Sequence, residues 1–520
     1  MNTNQQLLES FKAALAAPLP ADDITKSFTQ SGTATSGLTA YDLEAPAKLL
    51  YPVLTPLRNR ITRMTGGKGI QANWRAITGI NSSGVFPGVS EGSRNAAIAH
   101  TTADYLAAFK GLGFDDYVTF ESDFSAQGFD DVKARAVEGL LRSLMIWEEF
   151  VDLGGNGTTA LNGGNATPTP TVADLGTGKG TLTNNAAYNV YCIALTLAGY
   201  QQLAGWNNGV IGQTGTIAST TALRQTFSRV NMSGDTETIN GGTAKPSLVG
   251  TVTTGNSPAT ATYGISAYVT AVQGAAGYAW YWGTSGNEAL GAVTSTNSVV
   301  ISAAAASTQL FSTLAATTDY STDSLVYDGL IPQINKSGSG AYTKVLATGT
   351  PGTGTYLTTN GAGGIAEFDT AFQAFWNLYR LSPDTIYVNA QQLIDINAIV
   401  VKNGGAPLIR FNLDANNPNP VIDAGTVVGT ILNAITNRKV SIVVHPNMAP
   451  GTVLFYSDSI PYPLSNVGAV VQKECRRDYY QIEWPITRRR YEYGIYLDGV
   501  LKNYFPPAFG VIQNIAPGHA

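Results

Sequence analysis

Residues 129–157, FDDVKARAVEGLLRSLMIWEEFVDLGGNG, contain the clearest periodic element of this 520-residue chain. Asp130 precedes the periodic stretch as a candidate N-cap, and Gly154 and Gly155 supply an exit that tolerates left-handed backbone. The pattern predicts a helix over 130–153, about 36 Å long at roughly 1.5 Å per residue. Its apolar residues recur every three or four positions, as on one face of an α-helix: Val132, Ala136, Leu140, Leu144, Trp147 and Val151.

Glu148 and Glu149 lie near the C-terminal end of this helix, where the helix dipole disfavours carboxylates. One interpretation is a solvated pair, which costs roughly a few tenths of a kcal/mol. The other is that both carboxylates meet arginines from another part of the chain or from another subunit. The sequence leaves both interpretations open.

The composition is poor in charge for a chain of this size. Charged residues make up 13% of the sequence, against about 25% in an ordinary soluble domain. So little charge suits extensive contact with other chains or a β-rich surface protein. The length predicts two to four domains, and the net charge of −5 gives no basic excess that would point to nucleic acid over the whole chain.

The two cysteines, Cys192 and Cys475, fall in different predicted domains, so we expect free and mostly buried thiols. The first residues lack the basic and apolar regions of a secretory leader, and no run reaches the ~18 apolar residues of a membrane span. We therefore expect synthesis in the cytosol without an encoded export signal.

The N-terminal part predicts an arm followed by a long hairpin. Residues 1–18 predict a short amphipathic helix, and the polar stretch 21–45 predicts an extended arm that orders only against something else. Alternating residues from Ile70 to Ile77 predict a strand; further strands are expected at 100–109 and 117–124. This hairpin is either a solvated feature or a charge-matched contact with an adjacent subunit, since it is locally basic at Arg63, Lys68, Arg75 and Arg94.

The middle of the chain predicts an all-β domain. Residues 158–180 are read as a linker, in which Gly178-Lys179-Gly180 lacks the Ser or Thr of a phosphate loop. Short alternating strands between about 182 and 321 predict a β-sandwich, and the stretch 263–286 loosely resembles fibronectin type III and immunoglobulin-like domains. Trp280 and Trp282 share one face; they are either core residues or a stacking platform for a sugar.

The last third returns to mixed helices and strands. Helices are predicted at 365–379, 390–401 and 426–436, and strands at 384–389, 439–446 and 452–457. The terminal block, rich in tyrosine, predicts strands around Pro485. The run Arg488, Arg489 and Arg490 either forms ion pairs within the terminal sheet or with Glu148 and Glu149, or contacts DNA; we favour ion pairing because the run is isolated.

Enzyme chemistry is not expected. None of the three histidines, His100, His445 and His519, has a second ligand three or four residues away. The sequence therefore predicts no metal site. No nucleophile elbow or reactive-cysteine signature is present, and adjacent carboxylates do not face each other on a helix. We therefore expect no catalytic residues, no cofactor and no metal.

The order of elements resembles the major capsid protein of tailed bacteriophages, the Hong Kong 97-type fold. The stretches that carry the resemblance are LLRSLMIWEEFVDLGGNG (140–157), LSPDTIYVNAQQL (381–393) and the tyrosine-rich terminal block 464–512. It covers about two thirds of the chain and implies an α+β fold into which the β-sandwich is inserted.

The resemblance implies a division of the chain and a set of contacts. The implied parts are an N-terminal arm (1–60), an extended loop hairpin (61–126), a spine helix with the start of the peripheral domain (127–166), the inserted immunoglobulin-like sandwich (167–320), a return to the peripheral domain (321–364), an axial domain (365–465) and terminal peripheral strands (466–520). The residues expected to contact neighbouring subunits are Arg63, Lys68, Trp74, Arg75, Arg94, Glu148, Glu149, Arg488, Arg489 and Arg490.

The function implied is self-assembly into hexamers and pentamers that form an icosahedral head around double-stranded DNA. The expected partners are further copies of the chain, a separate scaffolding protein, a portal, DNA bound without sequence specificity, and a decoration protein; the expected location is the virion, after assembly in the host cytoplasm. Only about 60 residues precede the hairpin, which is why scaffolding is expected to be separate. No motif identifies a partner for a Lys68 crosslink, so none is predicted.

An alternative is a carbohydrate- or surface-binding protein, such as an adhesin or fibre, with Trp280 and Trp282 as its possible surface ligand site. The shell hypothesis predicts that a chain lacking 64–100 folds but does not assemble. If the sandwich is an independent surface decoration, excision of 167–320 with a short Gly/Ser joint should still permit shells.

Overall fold

In the computed structural model the described residues are 53–81, 84–127, 130–203, 219–256, 260–404, 409–412, 421–424, 428–462 and 465–518. The helix predicted at 1–18 and the arm predicted at 21–45 lie outside this range. The chain divides into two compact units, one of residues 1–51 and 120–133 and the other of residues 52–119 and 134–520. The first unit contains helix α1 (Phe120–Ser125). Asp123 of this helix forms an ion pair with Lys133, with 2.8 Å between Oδ2 and Nζ.

Helix α2 (Val132–Gly154) confirms the helix predicted over 130–153, although it begins two residues later. Its last seven residues, from Glu148 onward, are all buried. The prediction of a left-handed exit is wrong, because neither Gly154 nor Gly155 has a positive φ. Both glycines instead permit close packing: a Cβ on Gly154 would lie 2.4 Å from Leu197 Cδ2, and one on Gly155 would lie 2.8 Å from the carbonyl oxygen of Tyr327.

Beside this helix lies a four-stranded sheet of order β1-β21-β22-β4. Strand β1 runs parallel to β21, and the other neighbours are antiparallel. The sheet brings together chain segments that are far apart in sequence: β1 (Thr62–Thr65), β4 (Lys110–Thr119), β21 (Val471–Glu483) and β22 (Arg490–Asn503). The strand predicted at 117–124 is therefore wrong in its bounds, since β4 begins at Lys110 and residues 120–125 are helical.

Between β1 and β4 the chain makes a separate two-stranded hairpin, β2 (Gln71–Ile80) and β3 (His100–Ala108). These two strands confirm the predictions at 70–77 and 100–109. Their register places Trp74 opposite Tyr105 and Arg75 opposite Asp104. Because side chains alternate along a strand, these two pairs lie on opposite faces of the hairpin.

The middle of the chain forms two sheets, β13-β10-β5 and β12-β11-β6-β9. One core contains Cys192 and Trp280 from the four-stranded sheet and Ile265 and Ile301 from the three-stranded sheet, as a β-sandwich requires. Residues 171–180, predicted as the end of a linker, lie in strand β5. The elements here are β5 (Thr171–Leu182), β6 (Ala187–Leu195), α3 (Leu197–Leu203), β7 (Thr226–Val230), β8 (Thr236–Asn240), β9 (Gly250–Thr253), β10 (Tyr263–Tyr268), β11 (Gly277–Gly283), β12 (Ala289–Thr294) and β13 (Ser298–Ile301).

The four-stranded sheet is buried on both faces. Alternate residues of β6 and β11, such as Ile193 and Tyr281, point away from the sandwich core and belong to a second, larger core. That core also contains Leu153 of α2 and Phe455. The sandwich is thus continuous with the rest of its compact unit through one of its own sheets.

The C-terminal third forms a six-stranded sheet of order β14-β23-β20-β15-β19-β18, with a further β16–β17 hairpin. Phe368, Phe372 and Phe375 of helix α5 pack edge-on around Phe455 of β20. The elements are α4 (Leu330–Asn335), β14 (Tyr342–Val345), α5 (Ala366–Tyr379), β15 (Thr385–Val388), α6 (Ala390–Gly404), β16 (Ile409–Asn412), β17 (Val421–Ala424), β18 (Thr430–Asn433), β19 (Arg438–Val444), β20 (Val453–Tyr456) and β23 (Gly510–Gln513).

The helix predicted at 426–436 is wrong, because residues 430–433 are strand β18. Thr430 and Leu432 are exposed while Ile431 and Asn433 are buried, which is the two-residue period of a strand. Pairing with β19 determines the strand conformation of residues 430–433. The helices predicted at 365–379 and 390–401 are confirmed by α5 and α6, and with the sheets they confirm the predicted α+β class. Within the described residues, no helix is long and apolar enough to span a membrane.

Candidate functional site: a buried ion cluster beside an exposed hairpin

Seven charged side chains meet where the end of α2 approaches β1 and β21. Three are the α2 carboxylates Glu148, Glu149 and Asp152, and the others are Arg58, Arg63, Lys473 and Asp478. The α2 carboxylates are almost fully buried, although a helix C-terminus repels negative charge. Buried carboxylates need compensating partners, and here those partners come from chain segments far from α2 in sequence.

Glu149 holds the turn that precedes β1. Its carboxylate accepts hydrogen bonds from the backbone N–H groups of Leu57, at 2.9 Å, and Arg58, at 2.6 Å. His445 Nε2 lies 2.7 Å from Oε1 of the same carboxylate, without hydrogen-bond geometry. His445 Nδ1 accepts a hydrogen bond from the backbone N–H of Asn447 at 3.1 Å.

Glu148 is the centre of the cluster. It accepts hydrogen bonds from Arg58 Nε at 2.9 Å, Arg63 Nη1 at 2.7 Å and the hydroxyl of Tyr479. Burial alone would raise the pKa of Glu148, but Lys473, Arg63 and the Tyr479 hydroxyl outweigh it and lower this pKa to about 2. Glu148 is therefore ionised at neutral pH.

Asp152 lies one helical turn beyond Glu148 and is bound by two groups. Lys473 Nζ lies 2.7 Å from its Oδ1, and the Tyr327 hydroxyl donates to the same oxygen at 2.6 Å. Burial raises the pKa of Asp152 to about 6; the charge of Lys473 opposes this rise and the charge of Glu148 adds to it. The pKa of Glu148 is thus lowered and the pKa of Asp152 is raised, although both carboxyl groups lie beside Lys473.

These contacts decide between the two interpretations of Glu148 and Glu149. The solvated pair is wrong, since both side chains are buried. Arg63 lies on β1 and binds Glu148 and Asp478 within the chain. The sequence interpretation missed Arg58, Asp152 and Lys473. Asp152 was within reach of sequence reasoning, because it is four residues from Glu148 and shares its helix face.

The β2–β3 hairpin carries the other predicted contact residues. Trp74 stacks on Tyr105, with 5.7 Å between ring centroids, and Lys502 Nζ lies 5.4 Å from the Trp74 ring. On the opposite face, Arg75 forms a two-fold hydrogen-bonded ion pair with Asp104, fully in solvent. Lys68 and Arg94 are exposed. Subunit contact by these residues stays a prediction.

The hairpin also exposes apolar side chains. Ile77 is 66% exposed and Leu106 is 67% exposed, on the face that carries Arg75. Further exposed apolar residues flank the strands or lie in the connecting loop: Ile70, Ile80, Phe86, Val89 and Ile98. Among the described residues, β2 and β3 pair only with each other, and an isolated two-stranded hairpin is marginally stable in water.

The arginine run lies at the connection between β21 and β22. Arg488 and Arg489 are exposed, whereas Arg490 binds Glu492 at 2.5 Å and lies over the Tyr117 ring, 4.4 Å from its centroid. For Arg490 this is the predicted ion pairing within the terminal sheet. The part of that prediction that paired the run with Glu148 and Glu149 is wrong for Arg490; those carboxylates bind Arg58, Arg63 and backbone amides instead.

Trp280 and Trp282 do not form a surface platform, which corrects the ligand-site alternative. Both rings are buried in the sandwich core. Trp280 Nε1 donates to Thr294 Oγ1 at 2.8 Å, and Trp282 Nε1 donates to the carbonyl oxygen of Ala303 at 2.9 Å. Cys192 and Cys475 are free and buried, as expected. Within the described residues, no group of three or more His, Cys, Asp or Glu could hold a metal ion.

No protein-family model and no curated relative matches this sequence. Solved structures resemble this chain at low TM-score and low sequence identity. The capsid of the native GTA particle has a TM-score of 0.41 at 8% identity, covering 94% of this chain and 99% of that one. The capsid of Myoviridae phage XM1 has a TM-score of 0.38 at 8% identity, covering 91% and 95%. The capsid of cyanophage P-SCSP1u has a TM-score of 0.38 at 9% identity, covering 97% and 99%.

Proposed function

We propose that this chain is the major capsid protein of a tailed bacteriophage or a related particle. Copies associate into hexamers and pentamers, and these close into an icosahedral shell around double-stranded DNA. The observation that carries the proposal is the β2–β3 hairpin. It extends from the sheet β1-β21-β22-β4, pairs with no other described strand and exposes apolar residues along its length.

Such a hairpin gains stability when it lies on another molecule. Burial of apolar surface contributes about 25 cal/mol per Å², so the side chains of Ile77 and Leu106 favour association once a partner surface covers them. A second copy of the chain is the partner proposed, because repeated contacts of one kind between identical subunits close into rings. Arg75 and Asp104, exposed on the same face, set the orientation of that contact rather than its strength.

The ion cluster gives the hairpin a fixed base. Glu149 holds the turn at Leu57 and Arg58, and Glu148 holds Arg63 on β1. Strand β1 leads into β2 after a short connection that contains Lys68. Through these bonds the direction of the hairpin is tied to α2, so contacts made far along the hairpin are transmitted to a rigid helix.

The remaining partners follow from this role and are proposals of the same kind. They are a separate scaffolding protein, a portal, DNA held on the inner face without sequence specificity, and a decoration protein. The virion is the proposed location, after assembly in the host cytoplasm. The proposed role is structural and requires no catalytic residue.

The experiment compares assembly of two matched variants. The double variant Ile77→Asp with Leu106→Asp places charges on the exposed hairpin face. There the two apolar side chains contribute little to packing within the free subunit. The control is Val230→Asp, since Val230 is 70% exposed on the β7–β8 hairpin. Each chain is expressed alone and with the scaffolding protein of its source, and particles are followed by sedimentation and negative-stain electron microscopy.

The expected result is that the control forms shells or rings like the unmodified chain. The double variant should remain a folded monomer with an unchanged circular dichroism spectrum. Normal shells from the double variant would overturn the role of the hairpin. A homogeneous monomer from the unmodified chain under both conditions would overturn the proposed function itself.

A further inference from the structure

Lys473 of β21 is enclosed between two carboxylates of α2. Its Nζ lies 2.7 Å from Asp152 Oδ1 and 3.3 Å from Glu148 Oε1. All three side chains are at most 1% exposed. Glu148 and Asp152 are four residues apart, so they project from one helix face toward the same amine. A buried amine therefore contacts one carboxyl group closely while a second carboxylate lies within reach.

The two carboxylates have different surroundings. Glu148 is held by Arg58, Arg63 and the Tyr479 hydroxyl, which favour its ionised form. Among the described residues, Lys473 is the one charged partner in direct contact with Asp152, and the Tyr327 hydroxyl donates to Asp152 Oδ1. Burial, the largest influence on Asp152, raises its pKa to about 6 against the opposing charge of Lys473. The reaction requires one proton to pass from the Lys473 ammonium to this carboxylate, which leaves a neutral amine beside a carboxylic acid.

From this geometry we infer that Lys473 and Asp152 condense to an isopeptide bond within the chain, with Glu148 as the proton acceptor. The Lys473 Nζ lone pair attacks Asp152 Cγ, and the Tyr327 hydroxyl stabilises the negative charge that develops on Oδ1. Glu148 takes one proton from the amine and passes it to the departing hydroxyl group. The C–O bond breaks, the C–N bond forms and one water leaves, with no change of oxidation state.

The net charge of the cluster does not change in this reaction. Before it, the carboxylates Glu148, Glu149, Asp152 and Asp478 lie among the cations Arg58, Arg63 and Lys473. The amide removes one negative and one positive charge together. Replacing a buried ion pair by a neutral group also removes the desolvation penalty of two ions, and exclusion of water protects the amide once it has formed.

The bond goes beyond the proposed function, because it lies within one subunit and does not depend on assembly. It would join α2 covalently to β21, the two elements that hold the base of the hairpin. A covalent link across so long a stretch of chain restricts the unfolded state strongly.

The test is a tryptic digest of the full chain after denaturation, read by tandem mass spectrometry. The expected product is the peptide 143–179 joined through Asp152 to the peptide 440–476, with a total mass one water below the sum of the two. Trypsin should not cleave after Lys473, because its amine is acylated. Separate peptides 143–179 and 440–473, without the joined species, would overturn the inference.

A matched pair of variants tests the role of Glu148. Glu148→Gln removes the proton acceptor, and Glu138→Gln makes the same change at an exposed position of α2. The joined peptide should persist in Glu138→Gln and fall at least tenfold in Glu148→Gln. Equal amounts in both variants would overturn the assignment of Glu148. The digest of the unmodified chain decides the bond itself even if Glu148→Gln does not fold.

Discussion

Asn297 and Asn514, 217 residues apart, exchange two hydrogen bonds in the protein interior. The backbone N–H of Asn297 donates to Asn514 Oδ1 at 2.9 Å, and Asn514 Nδ2 donates to Asn297 Oδ1 at 3.0 Å. Asn297 lies just before β13 of the sandwich, and Asn514 follows β23 of the six-stranded sheet. The sandwich is therefore joined to the C-terminal sheet by a buried polar pair.

Asn297→Ala should lower the free energy of unfolding by about 2–3 kcal/mol, because several buried polar groups lose a partner at once. The Asn297 amide also donates to the carbonyl oxygen of Val269 and to Thr348 Oγ1. Urea unfolding of the unassembled chain measures the effect. The matched control is Asn287→Ala, at an exposed turn, which should change the unfolding free energy by less than about 0.5 kcal/mol.

Excision of 167–320 should prevent folding of the remainder, contrary to the expectation drawn from the sequence. The four-stranded sheet buries one face in the sandwich core and the other in the larger core. Its removal would expose that larger core and leave the end of α2 without Leu197, which packs against Gly154. Expression of the excised chain should give aggregated protein.

The control for the excision is a shortened turn at 231–235, between the largely exposed strands β7 and β8. This change should leave the circular dichroism spectrum and the solubility unaltered. A soluble, monodisperse chain lacking 167–320, with a cooperative thermal transition, would show that the sandwich is an independent insertion after all.

The sequence predicted the elements that have a strong local period. Helix α2 is an example, because one buried face fixes which residues repeat. It failed where pairing with a distant strand decides the conformation. Residues 430–433 pair with β19 and residues 171–177 pair with β10, and neither partner is visible in a local window. The two faces of the four-stranded sheet could not be predicted for the same reason.

The site was predictable only in part. Glu148 and Glu149 stood out as carboxylates at the wrong end of a helix, and Arg63 was identified as a contact residue. Their partners Arg58, Lys473 and His445 reach them through tertiary structure, from segments up to several hundred residues away. Local spacing gives no signal for such a meeting, although buried charge at a helix end indicates that partners must exist.

Gly291→Ala should destabilise the sandwich and so test the core position of Trp282. A Cβ on Gly291 would lie 2.1, 2.3 and 2.4 Å from three carbons of the Trp282 ring. Because the ring is enclosed, overpacking should cost about 1–3 kcal/mol and lower the melting temperature in calorimetry. An unchanged melting temperature would mean that the Trp282 ring is free to move away.

The control for that variant is Gly139→Ala on α2, where a Cβ would meet nothing within 4 Å. The same substitution should there raise stability by up to about 1 kcal/mol, since alanine favours the helix over glycine. Opposite signs for the two variants would separate packing at Trp282 from any general effect of the substitution.

Glu148→Gln should cost more stability at pH 6 than at pH 3. The pKa of Glu148 is lowered from its ordinary value to about 2 in the folded chain, because Lys473, Arg63 and the Tyr479 hydroxyl together outweigh burial.

A carboxyl group whose pKa is lower in the folded chain stabilises the fold above its unfolded pKa of 4.5, and this stabilisation is lost as pH falls toward 2. A shift of that size corresponds to about 3 kcal/mol at neutral pH. We therefore expect the difference between the unmodified chain and Glu148→Gln, measured by urea unfolding of chains in which the Lys473 amine is free, to shrink by about 2 kcal/mol between pH 6 and pH 3. Glu138→Gln, on the exposed face of the same helix, should show no such change, and a pH-independent difference for Glu148→Gln would mean that the cluster does not hold this carboxylate in its ionised form.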